Sequence, residues 1–215
     1  MENTRDIMND QAKLGIFAGI LLIGFILIGA VSASVIMTGS KNISEEDLNK
    51  ITNEVVDEIC SYLQIKHIVG KYQTIQGEEK IQKIAILIKP LVSQDIDVSR
   101  MTIELSNGEQ LRLLFYNGLV ESLNSHSLFE HPLWDSVTPG TFSLISTIDD
   151  DNSIINSHLI NKNTDMTFVL LKLHDDIAMR YGDELKVTIL PSPGMGRTVT
   201  LESPLSTKLV VTLYE

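Results

Sequence analysis

The chain has 215 residues, with 17 Lys and Arg against 28 Asp and Glu, a formal charge of −11, 43% apolar residues and one cysteine. That length suits one sizeable domain plus an appendage, and the acidic balance repels phosphate backbones and argues against nucleic acid as a partner. A single thiol, Cys60, excludes an intramolecular disulfide and reads as a small packed side chain.

The first element in chain order is an uncharged run from Leu14 to Ser40. As a helix rising about 1.5 Å per residue it would reach roughly 40 Å, more than the ~30 Å hydrocarbon thickness of a bilayer. Gly15, Gly19, Gly24, Gly29 and Gly39, with Ala18, Ala30 and Ala33, are small enough to let helices approach closely in an apolar setting. Ser44 followed by Glu45, Glu46 and Asp47 reads as an N-cap with an acidic first turn. Leu48, Ile51, Val55, Ile59 and Tyr62 then recur at three- and four-residue steps, predicting an amphipathic helix to about Leu63.

After Gly70 the pattern changes to short runs rich in Val, Ile, Thr and Leu. They are Lys83–Val92, Met101–Gly118, Gly140–Asp149, Met166–Leu173, Glu184–Pro191, Arg197–Pro204 and Lys208–Tyr214. Turn residues separate them, and Asn107-Gly108 is a hairpin signal. About seven strands at this spacing predict an antiparallel, Ig-like β-sandwich. The expected fold class is therefore α+β: a long N-terminal hydrophobic helix followed by a C-terminal antiparallel β-sandwich.

No constellation points to catalysis. Asp149, Asp150, Asp151, Asn152 and Ser153 carry the oxygens a calcium ion takes, but lack the later bidentate Glu of a calcium loop, so the run reads as a solvated turn. His126, His131, His158 and His174 show no metal-ligand spacing, and Ser157, His158 and the Asp run form a triad only on paper, without a nucleophile elbow. The segment Ser192–Gly196 has too few glycines and no following Lys for a phosphate loop, and reads as a turn. Asn42-Ile43-Ser44 is a glycosylation sequon at Asn42. No cofactor, metal or catalytic residue is expected.

Three stretches carry a resemblance to the archaellins, the filament subunits of the archaeal motility organelle. The run GIFAGILLIGFILIGAVSASVI resembles the archaellin N-terminal helix, which is also similar to that of type IV pilins. Gly140–Leu173 resembles the family's strand, Asp-rich turn, Asn and Asp before an apolar strand, and the tail from Leu185 to Tyr214 resembles its closing strands. The resemblance implies a class III signal peptide over 1–15, cut by a prepilin-type peptidase between Gly15 and Ile16, with Ala12 as a second cut site because this leader carries Lys13 and three acids. It implies a helical rod over 16–64 that sits in the membrane before assembly and then packs into a filament core through Leu21, Leu22, Ile26, Leu27, Ile28 and Val35. It implies an outer β domain over 65–215, and a homo-oligomer, a helical filament of many copies outside the cell. Two other readings stay open from the residues: a membrane-anchored surface or stator component of the same machine, and a secreted β domain cut after Val31-Ser32-Ala33.

Overall fold

The apolar–polar alternation after residue 62 folds into strands, as a period of two requires. The computed structural model describes residues 21–26, 28, 63–75, 77–124, 126–192 and 194–215. They form β1 (Leu63–Ile75), β2 (Glu78–Pro90), β3 (Ile96–Asp97), β4 (Thr102–Ser106), β5 (Leu111–Ser122), β6 (Thr141–Ile148), β7 (Leu159–Ile160), β8 (Met166–Lys172), β9 (Glu184–Leu190), β10 (Arg197–Glu202) and β11 (Val210–Tyr214). The chain divides into two compact units, Met1–Val56 and Asp57–Glu215.

In the second unit nine strands make one sheet in the order β10-β9-β4-β5-β6-β8-β2-β1-β11, and β3 pairs with β7 separately. Every pairing in the large sheet is antiparallel except β5 with β6. Parallel neighbours cannot be joined by a tight turn. The connection from β5 to β6 is accordingly long, and carries the 3-10 turns Leu128–Glu130 and Pro132–Asp135.

The sheet rolls until its two edge strands, β10 and β11, lie against each other without a ladder between them. Side-chain bonds help to close the seam. Tyr72 on β1 donates its hydroxyl hydrogen to the carbonyl of Pro204, just past β10, and lies 2.8 Å from the Ser203 hydroxyl. Residues facing into the roll, among them Ile68, Ile84, Ile103, Phe142, Val187 and Leu201, form one continuous buried core.

These observations correct the expected fold class. A sandwich has two sheets with no ladder between them, whereas here the ladder runs unbroken from β10 to β11, so the domain is a nearly closed roll with one parallel pair rather than an Ig-like antiparallel β-sandwich. The described part is predominantly β rather than α+β. Its only α-helical residues are 21–26 and 28 and the five-residue helix Ser153–Ser157, so the long N-terminal helix is not among the described elements. No helix among the described residues is long and apolar enough to cross a membrane. The amphipathic pattern over 44–62 lies outside the described residues.

β1 is a strand that the periodicity did not predict. It pairs along nearly its whole length with β2, and register shifts between Ile65 and His67 and between Lys71 and Tyr72 break its alternation.

Candidate functional site

A structural subunit works through its surface, so the outward faces of the sheet matter as much as its core. On β2, β6 and β8 the outward side chains Ala85, Ile145 and Leu170 are covered by Phe129, Leu133, Trp134 and Val137 from the β5–β6 connection. Phe129 and Trp134 stack with centroids 5.6 Å apart, and the Trp134 indole N–H donates to the Leu128 carbonyl at 2.8 Å. Buried His131 fixes this lid from within, since its Nδ1 accepts the Leu133 N–H at 3.2 Å, leaving the ring proton on Nε2 to reach the Ser122 carbonyl at 3.2 Å.

The other half of the outer wall has no such cover from the described residues. Leu111, Leu113 and Phe115 alternate along β5 and remain 55%, 46% and 56% exposed. They begin one side of the hairpin whose turn was legible as Asn107-Gly108: Gly108 takes φ +90°, and the Asn107 side-chain oxygen accepts the N–H groups of Glu109 and Gln110 at 3.1 and 2.8 Å. A row of large apolar side chains in water on one strand is the signature of a contact surface.

Charge is also unevenly placed on this wall. Lys71, Lys83 and Lys172 stand opposite one another on β1, β2 and β8, directly in register. None makes an ion pair with a described residue; the Lys83 ammonium instead sits 5.0 Å from the centre of the Trp134 ring. Partial burial, and then the ammonium groups of Lys71 and Lys172, push the Lys83 amine below its ordinary pKa. On the uncovered half Glu184 and Glu202 face each other in register across β9 and β10, with exposed Lys186 two residues along β9 on the same face, and Glu104 on β4 stands opposite Thr188.

The acidic run at 149–153 has a structural role. Asp149 Oδ2 accepts the backbone N–H groups of Ile154 and Ile155 at 3.1 and 3.4 Å, which caps the helix Ser153–Ser157 from outside its left-handed N-cap Asn152. Asp151 pairs with the Lys162 ammonium at 3.0 Å and accepts from the Asn161 amide at 3.1 Å. Asp165, fully buried, accepts the N–H groups of Asn161 and Lys162 at 3.1 and 2.9 Å through Oδ2. Its Oδ1 and the Asn161 Oδ1 are buried acceptors to which no described residue donates. Among the described residues no three His, Cys, Asp or Glu side chains group as a metal site.

The paper triad is not assembled. His158 adopts φ +57° beyond the helix and its Nδ1 lies 2.9 Å from the Tyr116 hydroxyl, whose pKa burial pushes up to about 12. The described residues of the segment Ser192–Gly196 lie between antiparallel β9 and β10. A shallow depression of about 300 Å³ is lined by Ser122, Asn124, Ser146, Asp149 and their neighbours, with no base set against a nucleophile.

Of the residues expected to drive assembly, Leu21, Leu22 and Ile26 are helical and exposed within the first unit, and Ile28 is helical and half-buried. Gly15, Ile16, Ala12, Leu27, Val35, Asn42 and Cys60 lie outside the described residues. The exposed stripe on β5 was readable as alternation, but nothing in the sequence says which of the two faces is left bare. The lysine row was not readable, because its members come from three separate runs.

Comparison with known proteins agrees with the absence of a designed catalytic site among the described residues. The chain is 28% identical over 155 residues to Flagellin B3 of Methanocaldococcus jannaschii, covering 70% of each chain. It is 20% identical over 225 residues to Flagellin B3 of Methanococcus voltae, covering 91% of this chain and 92% of that one. Among solved structures, the crystal structure of archaeal flagellin FlaB1 from Methanocaldococcus jannaschii superposes with a TM-score of 0.60 at 21% identity, covering 70% of this chain and 95% of that chain. The archaeal flagellum of Methanospirillum hungatei strain JF1 superposes with a TM-score of 0.50 at 16% identity, covering 88% and 93%. The sequence profile of the archaeal-type flagellin family matches residues 12–201, so the apolar run and the rolled sheet as far as β10 are recognised together. The chain belongs to the archaeal-type flagellin family.

Proposed function

We propose that this flagellin is delivered through the membrane as a precursor, cut between Gly15 and Ile16 by a prepilin-type peptidase, and polymerised through its apolar N-terminal segment. The protein is a structural subunit of the archaeal motility filament and not an enzyme. The observation that carries the reading is the family match over 12–201, which takes in both the apolar segment and most of the β domain. In the membrane the segment's backbone groups are satisfied internally. On assembly, segments from many copies exchange lipid for one another, with Leu21, Leu22, Ile26, Leu27, Ile28 and Val35 interlocking where glycines and alanines permit close approach. Leu21, Leu22, Ile23, Phe25 and Ile26 are exposed in the single chain, and in water so apolar a surface favours association. The β domain then faces the medium with its acidic surface, and Asn42 is available for glycosylation.

The test is the N-terminal sequence and intact mass of protein recovered from sheared cell-surface filaments. A chain beginning at Ile16 supports both the cut and the incorporation, and mass above the sequence value assigns a modification to be mapped at Asn42. Absence from filaments, with a cell-derived chain beginning at Met1 or Ser34, refutes the reading.

A further inference from the structure

The turn between β4 and β5 and the body of β5 each carry an asparagine followed by a glycine, Asn107-Gly108 and Asn117-Gly118. An asparagine holds its carboxamide carbon within reach of the next backbone nitrogen, and a glycine, having no Cβ, leaves that nitrogen unshielded. The two amides are held differently. In the turn, Asn107 Oδ1 accepts the N–H groups of Glu109 at 3.1 Å and Gln110 at 2.8 Å, which fixes which end of the amide is oxygen. Its Nδ2 donates to no described residue. The Gly108 N–H donates to the Ser106 hydroxyl at 3.2 Å, and nothing lies within 4 Å of the place a Gly108 Cβ would take. On β5, by contrast, Asn117 Nδ2 donates to Ser143 Oγ at 2.7 Å and to the Ser136 carbonyl at 3.4 Å, while Oδ1 accepts the Leu119 N–H at 3.0 Å.

We propose that Asn107 is a self-modification site at which the folded turn promotes loss of the side-chain amide, and that Ser143 and Ser136 protect Asn117 from the same reaction. The Gly108 nitrogen gives up its proton to solvent and attacks Asn107 Cγ, forming an N–Cγ bond. The negative charge that gathers on Oδ1 falls on the Glu109 and Gln110 N–H groups, which act as a small oxyanion hole. The Cγ–Nδ2 bond then breaks, and the nitrogen takes a proton from water and leaves as ammonia. Water opens the five-membered imide at either carbonyl, leaving aspartate or isoaspartate at position 107, so the net change is hydrolysis of one amide with no oxidant or reductant. The product adds a carboxylate beside Glu109. In the iso form it also lengthens the main chain by one methylene inside the turn that sets the Ser106–Leu111 pairing, where the apolar stripe begins. The ammonia is lost to solvent, so the change accumulates with the age of the subunit.

The test is peptide mapping by mass spectrometry of the purified full-length chain, incubated at mildly alkaline pH both folded and in denaturant, with isoaspartate methyltransferase labelling to identify the iso product. In denaturant the two positions convert at similar rates, because each is an asparagine before glycine. Folding should raise the ratio of conversion at position 107 to that at position 117 by about ten-fold or more, the effect of one or two hydrogen bonds on a barrier. Asn107→Ser, which keeps a hydroxyl oxygen for the turn, removes the product at that position and leaves Asn117 intact in the folded chain. A ratio that folding leaves unchanged or lowers overturns the inference, as does an Asn107 that stays unconverted while the chain is folded.

Discussion

Replacing Ile26 with aspartate tests whether the N-terminal segment holds copies together. Ile26 keeps 60% of its surface in solvent in the single chain. Complete burial of such a side chain is worth about 1.5–3 kcal/mol, so covering what it still exposes contributes about 1–2 kcal/mol per subunit. The aspartate forfeits that gain, and its carboxylate must leave water as an ion or take up a proton among apolar neighbours, adding several kcal/mol. A combined loss of about 4 kcal/mol weakens subunit affinity about a thousandfold, enough to abolish filaments at cellular concentrations. The β domain buries none of these side chains in its two cores, so its unfolding transition should be unchanged. The assay is mass spectrometry of the sheared fraction from cells expressing only the variant, alongside thermal unfolding of the full chain in detergent. Filaments at wild-type yield, built from the variant, would refute the role given to this segment. A shifted β-domain transition would instead mean that the substitution acts on folding rather than on association.

The remaining predictions concern the β domain. Gly70 lies on the inward face of β1, where an added Cβ would come within 2.8 Å of Ile81 Cγ2 and 2.9 Å of Leu213 Cδ1. Gly70→Ala should therefore overpack the junction of β1 with its neighbours by about 1–3 kcal/mol and lower the thermal midpoint by roughly 3–10 °C; an unchanged midpoint contradicts the packing described. The Asp151 carboxyl is held well below the usual carboxylate range by the Lys162 ammonium and then by the Asn161 amide, and the Asp176 carboxyl is lowered by the Arg112 guanidinium. Lowered folded-state values give stability that is complete above the unfolded value near ~4 and is lost as pH falls below it. Asp149 works in the opposite direction, because burial raises its pKa and its ionisation opposes folding as pH rises. Asp151→Asn should accordingly melt below wild type at neutral pH, with the gap closing below about pH 3; a gap independent of pH refutes the pairing with Lys162.

What the sequence made legible was the set of local decisions. Alternation in Glu184–Leu190 separates Leu185, Val187 and Ile189, all buried, from exposed Glu184 and Lys186, and Asn107-Gly108 makes the turn its chemistry favours. A period of two says which residues share a face, but not which strand lies beside which. That is why one rolled ladder and a two-sheet sandwich look the same in sequence, and why the parallel β5–β6 pair was missed. β1 was missed because its bulges blur the alternation and the apolar steps of the preceding helical pattern run up to its first residue.

The same limit explains why the surface was the least legible part. Lys71, Lys83 and Lys172 belong to strands far apart in the chain, and only the order β8-β2-β1 makes them neighbours. A single residue of slip in either pairing would turn one lysine into the core, where an unpaired ammonium is prohibitively expensive, so the hydrophobic pattern that fixes the register also fixes the charge row. The repulsion within the row is then a cost imposed by packing, and the fold retains it although a neutral side chain at any of the three positions would remove it.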